Sequence, residues 1–251
     1  MTALETLLQH RSIRKYKQDP VPENILNSIL EAGSRAATTG NMQVYSIVVT
    51  RDQEIKNQLL PLHFGQKMIA EAPVVLTFCA DFNRFNQWCN QRNAEPGYDN
   101  FLSFMTAAID ALLVAHNCVV AAEHFGLGTV YLGTTTYMAD KIIDVLKLPK
   151  GVVPITTVTI GYPAETPGLT DRLPMRAIVH YETYNEFDAP TIDALYAEKE
   201  NSEEYKKFVT DSQVDNLAQV FTQKRYSKKD NVAFSKSLLA VLQKQGFMNN
   251  D

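Results

Sequence analysis

Apolar residues recur at helical spacing in several stretches of the chain. Leucines three and four residues apart predict a helix over residues 3–9. The same spacing of Ile and Leu predicts a second helix over residues 23–32, which Gly33 is expected to end. A much longer apolar run predicts a third helix over residues 101–125. The first half of the chain therefore carries helices of very different length.

Shorter segments rich in Val, Ile, Thr and aromatic residues, bounded by Gly, Pro or Asn, are typical of strands. The chain contains four of them, at residues 44–50, 74–80, 129–133 and 153–161. The long helix separates the second from the third. Helices and strands should therefore interleave around a sheet of about four strands.

The long apolar helix also has to be tested as a membrane span. Asp110, His116 and Asn117 interrupt its apolar run over residues 105–122. A charge at mid-bilayer would cost about 2.5 to 3.5 kcal/mol on insertion scales. We therefore predict no membrane span but a buried helix, at the centre of a domain or at a subunit interface, which makes it a candidate axis for a homodimer.

Composition and charge narrow the class of protein. The chain has 251 residues, of which 45% are hydrophobic, enough for one substantial core. Its formal net charge of −4 argues against a nucleic-acid binder, which needs a basic face.

Cysteine, histidine and the amino terminus point to a cytoplasmic protein without a metal. Cys79, Cys89 and Cys118 form no CxxC pair, which is typical of reduced intracellular thiols. The five histidines include no metal-binding motif, so no metal is predicted. The first residues lack the pattern of a signal peptide.

The composition of the chain changes beyond residue 181. Residues 196–207 are heavily charged, a basic group follows at residues 224–229, and residues 232–245 predict a final amphipathic helix. We interpret this part as an arm that packs on the core or on a partner subunit. The alternative for residues 198–227 is a loosely ordered tail.

The segment His10-Arg11-Ser12-Ile13-Arg14 is suited to an anion. If it forms a helical turn or a tight loop, the two guanidiniums lie on one side with the serine hydroxyl between them. Such groups give a phosphate charge-assisted hydrogen bonds. The alternative is a solvated basic helix end.

Three further segments carry candidate binding residues. The loop at residues 37–43 presents Thr, Asn and Gln side chains between a helix and a strand, where loops display polar groups. Gly133 ends a predicted strand, where a flat ring or a phosphate can approach the backbone. Arg172 lies among turn residues after a Gly-Tyr-Pro sequence and adds another positive charge.

Taken in order, several segments resemble the nitroreductase superfamily of FMN enzymes, and most closely its NADPH-dependent branch. The segments are HRSIR, TTGNMQ, FGQKMIAEAP, CADFNRF, FGLGTVYLG and DRLP. The similarity spans about residues 4–184. It implies an α+β fold, a three-layer sandwich with a central, mainly antiparallel sheet flanked by helices, in an obligate homodimer with FMN at the subunit interface.

The resemblance also implies which residues bind the cofactors. The FMN phosphate, ribityl chain and ring are expected to contact His10, Arg11, Ser12, Arg14, Thr38, Thr39, Asn41, Gln43, Gln66, Tyr131, Leu132, Gly133, Thr134 and Arg172. The basic residues Lys224, Arg225, Lys228 and Lys229 loosely mirror the loop that binds the NADPH 2′-phosphate in this branch. Thr170 stands where that branch usually has a lysine, so one positive charge expected near the flavin is absent or comes from elsewhere.

The implied activity is hydride transfer from NADPH or NADH to FMN, then two-electron reduction of a flat acceptor such as a nitroaromatic, a quinone or a flavin, in a ping-pong mechanism. No side chain is predicted to act as acid, base or nucleophile, because the chemistry takes place at N5 of FMN. Residues 1–184 would form the FMN-binding core and residues 185–251 the arm. The alternatives are a flavin reductase that supplies a partner and a flavin-storage protein without turnover.

Overall fold

The computed structural model describes residues 2–249, and these divide into two compact units. The first unit comprises residues 2–169 and 234–249, and the second comprises residues 170–233. The division between a binding core and an arm at residue 184 stays a prediction, because the two units are defined by packing and not by function.

A single antiparallel sheet of four strands organises the first unit. The strands are β1 (Tyr45–Thr50), β2 (Val74–Asp81), β3 (Gly128–Leu132) and β4 (Val152–Gly161), in the order β1-β2-β4-β3. Each predicted strand is confirmed to within one residue at either end. Strand β3 therefore lies at one edge of the sheet, where another segment of chain can pair with it.

Helices cover both faces of this sheet. On one face, α2 (Glu23–Ser34) and α6 (Phe101–His124) pack on apolar residues of β2 and β4. On the other face lie α3 (Gln53–Leu62), α4 (Met68–Glu71) and α7 (Ala139–Leu146). Every residue of β2 is consequently buried, which explains why the strand is apolar except at Thr77 and Asp81. The predicted α+β arrangement of three layers is confirmed in this chain.

The remaining helices of the first unit are shorter or peripheral. Helix α1 (Ala3–Leu8) begins with a capping box in which Thr2 and Glu5 exchange hydrogen bonds. Helix α5 (Asn83–Gln91) follows β2. The last helix, α11 (Lys228–Gln245), ends in this unit, where Val241 joins Phe82 and Phe104 in the core. The carboxyl end of the predicted arm thus packs on the core of its own chain.

Gly33 does not end the second helix as expected. Helix α2 continues to Ser34, and Gly33 is buried against α6. A Cβ atom at this position would collide with the Sγ of Cys118. The glycine is therefore required by the close approach of two helices and not by a chain stop.

The second unit is helical. It contains α8 (Ala189–Asn201), α9 (Glu203–Ser212), α10 (Leu217–Gln219) and a π-helical turn at Val220–Arg225. Both the ammonium of Lys199 and the hydroxyl of Tyr205 donate to the carboxylate of Asp171, each over 2.7 Å, and they lower the pKa of that carboxyl. Residues 198–227 are thus largely folded into helices, and the alternative of a loosely ordered tail is not supported.

Helix α6 is the long helix predicted from the apolar run, and it has two apolar faces. One face contacts all four strands and α2. The other exposes large side chains, which are Phe101, Leu102, Met105, Ile109, Leu112 and Leu113. The helix is long and apolar enough to cross a membrane by length and composition, but half of its most apolar window is buried inside the protein. The prediction of a buried helix is confirmed for the first face only.

Candidate functional site

The amino-terminal basic segment runs in an extended conformation beside β3. The amide of Ile13 donates to the carbonyl of Thr129 over 2.8 Å, and Ser12 forms a parallel bridge with the same residue. Gly128 makes this contact possible, because a Cβ atom there would lie 2.7 Å from the Cβ of Ile13. Residues 10–14 are thus held along the edge strand of the sheet.

The expectation that Arg11 and Arg14 lie on one side of a helical turn or a tight loop is wrong. Helix α1 ends at Leu8, and the segment that follows is extended. Side chains alternate along an extended chain, so residues three apart point to opposite sides. Arg11 and Ile13 line a cavity of about 340 Å³, whereas Ser12 and Arg14 do not line it.

The side chains of residues 10–14 differ in which of their hydrogen-bonding groups are already paired within the chain. Arg11 donates from Nη2 to Gln9 over 3.1 Å, but its buried Nε has no hydrogen-bond partner among residues 2–249. The Nδ1 of His10 lies 2.7 Å from a carboxylate oxygen of Glu123. Arg14 is exposed, and its backbone amide donates to Glu165 over 2.7 Å. The segment therefore combines an anchored backbone with cationic side chains.

Strand β3 and the turn after it carry four more of the predicted residues. Tyr131 is partly exposed, whereas Leu132 is buried in the core, so only the backbone of Leu132 can meet a ligand. Gly133 is exposed, and a Cβ atom built on it would meet nothing within 4 Å. Thr134 follows, nearly buried. The open space at Gly133 agrees with the expected close approach of a flat group to the backbone.

The hydroxyl of Thr134 contacts Gln66, which was also predicted from the sequence, and a third residue, His63, which sequence reasoning missed. The Nδ1 of His63 lies 2.8 Å from the Oγ1 of Thr134, and the Nε2 of Gln66 donates to the same oxygen over 3.5 Å. His63 is completely buried, and burial lowers its pKa to about 4. The one signal in the sequence was its position three residues before Gln66.

The predicted loop at residues 38–43 is anchored to α6. Residues Thr39–Asn41 form a short 3₁₀ turn that follows the extended residue Thr38. The backbone amide of Thr39 donates to Asp110 over 3.0 Å, and its hydroxyl donates to the same oxygen over 3.4 Å. Asp110 is buried, and its second oxygen has no hydrogen-bond partner within residues 2–249. Asp110 was also missed, although it is the only acidic residue in the apolar run at 105–122.

The same loop has an unusual backbone. Asn41 and Gln43 both have φ of 55°, in the left-handed region. The side-chain amide of Gln43 donates to Asn41 over 3.2 Å, and Arg84 donates to the carbonyl of Gln43 over 2.5 Å. Left-handed non-glycine residues cost energy and are found at ligand sites more often than elsewhere. Their presence agrees with the predicted binding role of this loop, which stays a prediction.

The remaining predicted residues belong to the second unit. Arg172 is exposed and donates from Nη1 to the carbonyls of Thr170 and Asp171, over 3.2 and 2.8 Å. The guanidinium of Arg225 lies 4.5 Å from the ring centre of Phe208. Three further basic residues are exposed, namely Lys224, Lys228 and Lys229. Their roles towards FMN and NADPH stay predictions.

The groups around β3 fit the cofactor that the sequence implies. They include the exposed guanidinium of Arg14, the hydroxyls of Ser12 and Thr134 and the amide of Gln66. Phosphate and flavin oxygens are acceptors, so the donor set is complementary to FMN. Across residues 2–249, no group of three or more His, Cys, Asp or Glu side chains is placed to hold a metal ion.

Comparison with known proteins identifies the family. The model of the nitroreductase family matches residues 7–162. The FMN reductase of Bacillus subtilis (strain 168) that uses NAD(P)H is 33% identical over 246 residues, which cover 97% of each chain. The oxygen-insensitive NADPH nitroreductase of Salmonella typhimurium is 35% identical over 185 residues, covering 74% of this chain and 75% of the relative.

A solved structure agrees over nearly the whole chain. The crystal structure of a protein from Bacteroides fragilis NCTC 9343 has a TM-score of 0.96 and 54% identity, covering 98% of this chain and 100% of that one. The family predicted from the order of the sequence motifs is thereby confirmed. This chain belongs to the nitroreductase family.

Proposed function

We propose that this protein is an FMN-dependent NAD(P)H oxidoreductase that reduces flat acceptors by two electrons. The support is similarity over nearly the full length to a relative named for FMN reduction with NAD(P)H, together with similarity to an NADPH nitroreductase. The predicted class of function and the predicted cofactors agree with these names.

The observation that carries the proposal is the convergence of three predicted segments on one strand. Ser12 pairs with Thr129 near the start of β3, and Gln66 reaches Thr134 just beyond its end. Between them, Gly133 leaves its backbone open. These segments are separated by more than fifty residues in sequence, yet they present donors around a single edge strand.

When bound, FMN supplies the redox chemistry, accepting a hydride from the nicotinamide and delivering two electrons to the acceptor. The protein binds and orients. Arg14 and Ser12 provide charge and a hydroxyl for the phosphate, while Gln66 and Thr134 donate to acceptor atoms of the cofactor. With Thr170 at the position of the usual lysine, Arg172 is the positive charge that the RLP motif retains.

We also propose that the protein works as a homodimer with FMN at the subunit interface. The exposed apolar face of α6 supports this, because a stripe of half-exposed leucine, isoleucine and methionine on a core helix is typical of a buried interface. The loop at residues 38–43 is anchored to the same helix through Asp110. In a dimer built on α6, this loop would lie close to the partner subunit and contribute to the binding site.

The absorbance spectrum of the purified protein tests the cofactor directly. We expect a flavin spectrum with about one FMN for each chain. Arg14→Ala should lower retention of FMN, whereas Arg92→Ala removes an exposed arginine at the end of α5 and should leave retention unchanged. Colourless protein that stays colourless after incubation with FMN would refute the proposal.

Anaerobic mixing with NADPH tests turnover. The bound chromophore should bleach promptly and recover its colour when a nitroaromatic, a quinone or free FMN is added. Bleaching without recovery by any acceptor, or no bleaching at all, would instead identify a flavin-binding protein without turnover. The name of the Bacillus subtilis relative favours free flavin as one of the acceptors.

A further inference from the structure

The imidazole ring of His63 has a single hydrogen-bond partner within residues 2–249. The residue follows the end of α3, where its backbone amide donates to the carbonyl of Leu59 over 3.1 Å. Its ring has no solvent exposure. The Nδ1 atom lies 2.8 Å from the Oγ1 of Thr134, and the Nε2 atom is buried with no hydrogen-bond partner in the described part of the chain.

The unpaired Nε2 decides which ring nitrogen carries the proton. Burial lowers the pKa of His63 to about 4, so the ring is neutral at pH 7 and holds one proton. If that proton were on Nε2, a buried N–H donor would have no acceptor, which is rarer in proteins than an unpaired acceptor. The Nδ1–H tautomer avoids this, because Nδ1–H then donates to Thr134.

This assignment determines what the hydroxyl of Thr134 can do. A threonine hydroxyl has one donor and two acceptor positions. It accepts from His63 and, over 3.5 Å, from Gln66, so both acceptor positions are used and its own proton remains to be donated elsewhere. Thr134 keeps 9% exposure and follows Gly133, whose backbone faces open space, whereas His63 has no exposure; the threonine therefore borders the space open to a ligand and the histidine does not.

We propose that His63 is a positioning residue that directs the hydroxyl proton of Thr134 towards an acceptor atom of bound FMN. The inference rests on the proposed function, since it assumes that FMN is the ligand beside Thr134. It adds a role for a residue without contact to the cofactor. The pair His63–Thr134 is separated by 71 positions in sequence and acts through one hydrogen bond.

The tautomer is tested without any cofactor. In FMN-free protein at pH 7, ¹⁵N NMR of labelled histidine distinguishes protonated from unprotonated ring nitrogens. We expect the His63 signals, assigned by their loss in His63→Asn, to show a protonated Nδ1 and an unprotonated Nε2. A protonated Nε2 would overturn the inference, whatever the protein binds.

FMN affinity tests the positioning role. Dissociation constants are measured by the quenching of flavin fluorescence for a set of folded variants with parental circular dichroism. His63→Leu and Thr134→Val should each weaken FMN binding about tenfold, the loss expected for one hydrogen bond, and the double variant should be no weaker than either alone. His63→Asn, which returns a donor near Nδ1, and Thr134→Ser, which keeps the hydroxyl, should bind within about twofold of the parent.

Thr77→Val is the matched control for Thr134→Val. Thr77 is a fully buried threonine on β2 whose hydroxyl lies 3.5 Å from that of Thr157. The Thr77→Val variant should lose stability like Thr134→Val but keep parental FMN affinity. Additive losses in the double variant, or parental affinity in both Thr134→Val and His63→Leu, would overturn the positioning role. Failure of the parent to bind FMN would overturn it together with the proposed function, while the tautomer result would still stand by itself.

Discussion

The stability of the first unit should depend on pH through His63. The pKa of this residue is 6.5 in an unfolded chain and about 4 in the folded protein, because the buried ring cannot be charged without losing its hydration. As the pH falls below 6.5, the unfolded state takes up a proton that the folded state does not. The free energy of unfolding therefore decreases between pH 6.5 and pH 4. At about 1.4 kcal/mol for each pH unit, the loss from this single residue is about 3 kcal/mol.

The measurement compares FMN-free parent and His63→Asn by urea unfolding from pH 7.5 to pH 4. Trp88, the only tryptophan, lies on α5 in the first unit, so its fluorescence follows the unfolding of that unit. Carboxylates also titrate in this range, but they are common to both proteins and cancel in the difference. The difference in unfolding free energy, parent minus variant, should fall by about 3 kcal/mol across the range. A difference that stays constant with pH would show that His63 is not buried as a neutral ring.

Three other substitutions test separate parts of the structure. Gly128→Ala places a methyl group 2.7 Å from Ile13 and should destabilise the protein by about 1 to 3 kcal/mol while displacing residues 10–14. The expected observations are a lower melting temperature and weaker FMN binding. An unchanged melting temperature would contradict the close packing on β3. Asp110→Ala removes the acceptor for the amide of Thr39 and should lower the free energy of unfolding by about 1 kcal/mol, with faster hydrogen exchange at that amide. In Asp110→Asn, the amide of Thr39 should retain most of its protection from exchange. Ile109→Asp puts a charge on the half-exposed apolar face of α6. The variant should be a monomer by light scattering, with reduced FMN content by absorbance. A stable dimer would place the interface elsewhere.

Much of the fold follows from local pattern. The two central strands are rich in apolar and β-branched residues between turn-forming residues, because both faces of the sheet are covered, and such segments are recognisable without a structure. The long helix was recognisable for a similar reason. The sequence did not reveal that one face of this helix packs on the sheet and the other is exposed, because both faces are apolar and only packing distinguishes them.

Which residues take part in the site stays a prediction, and the geometry predicted for one of its segments was wrong. The segment at residues 10–14 was singled out for its charge, and its arginines were placed on one side of a turn. The true conformation depends on Thr129 and Gly128, more than a hundred residues away, which hold the segment extended. Local sequence contains no information about that pairing.

By itself, the amino-acid sequence determined the four strands, the helices over residues 3–9, 23–32 and 101–125 to within two residues at either end, and the family. Each of these depends on composition, on spacing along the chain, or on the order of short motifs. Only the tertiary structure showed that His63 meets Thr134, that Asp110 anchors the loop at Thr39, and that Arg11 and Arg14 are directed apart. The physical reason is that hydrogen bonds and burial act between groups that packing brings together. Helical or strand periodicity indicates which face of an element is buried, but not which distant residue that face will contact.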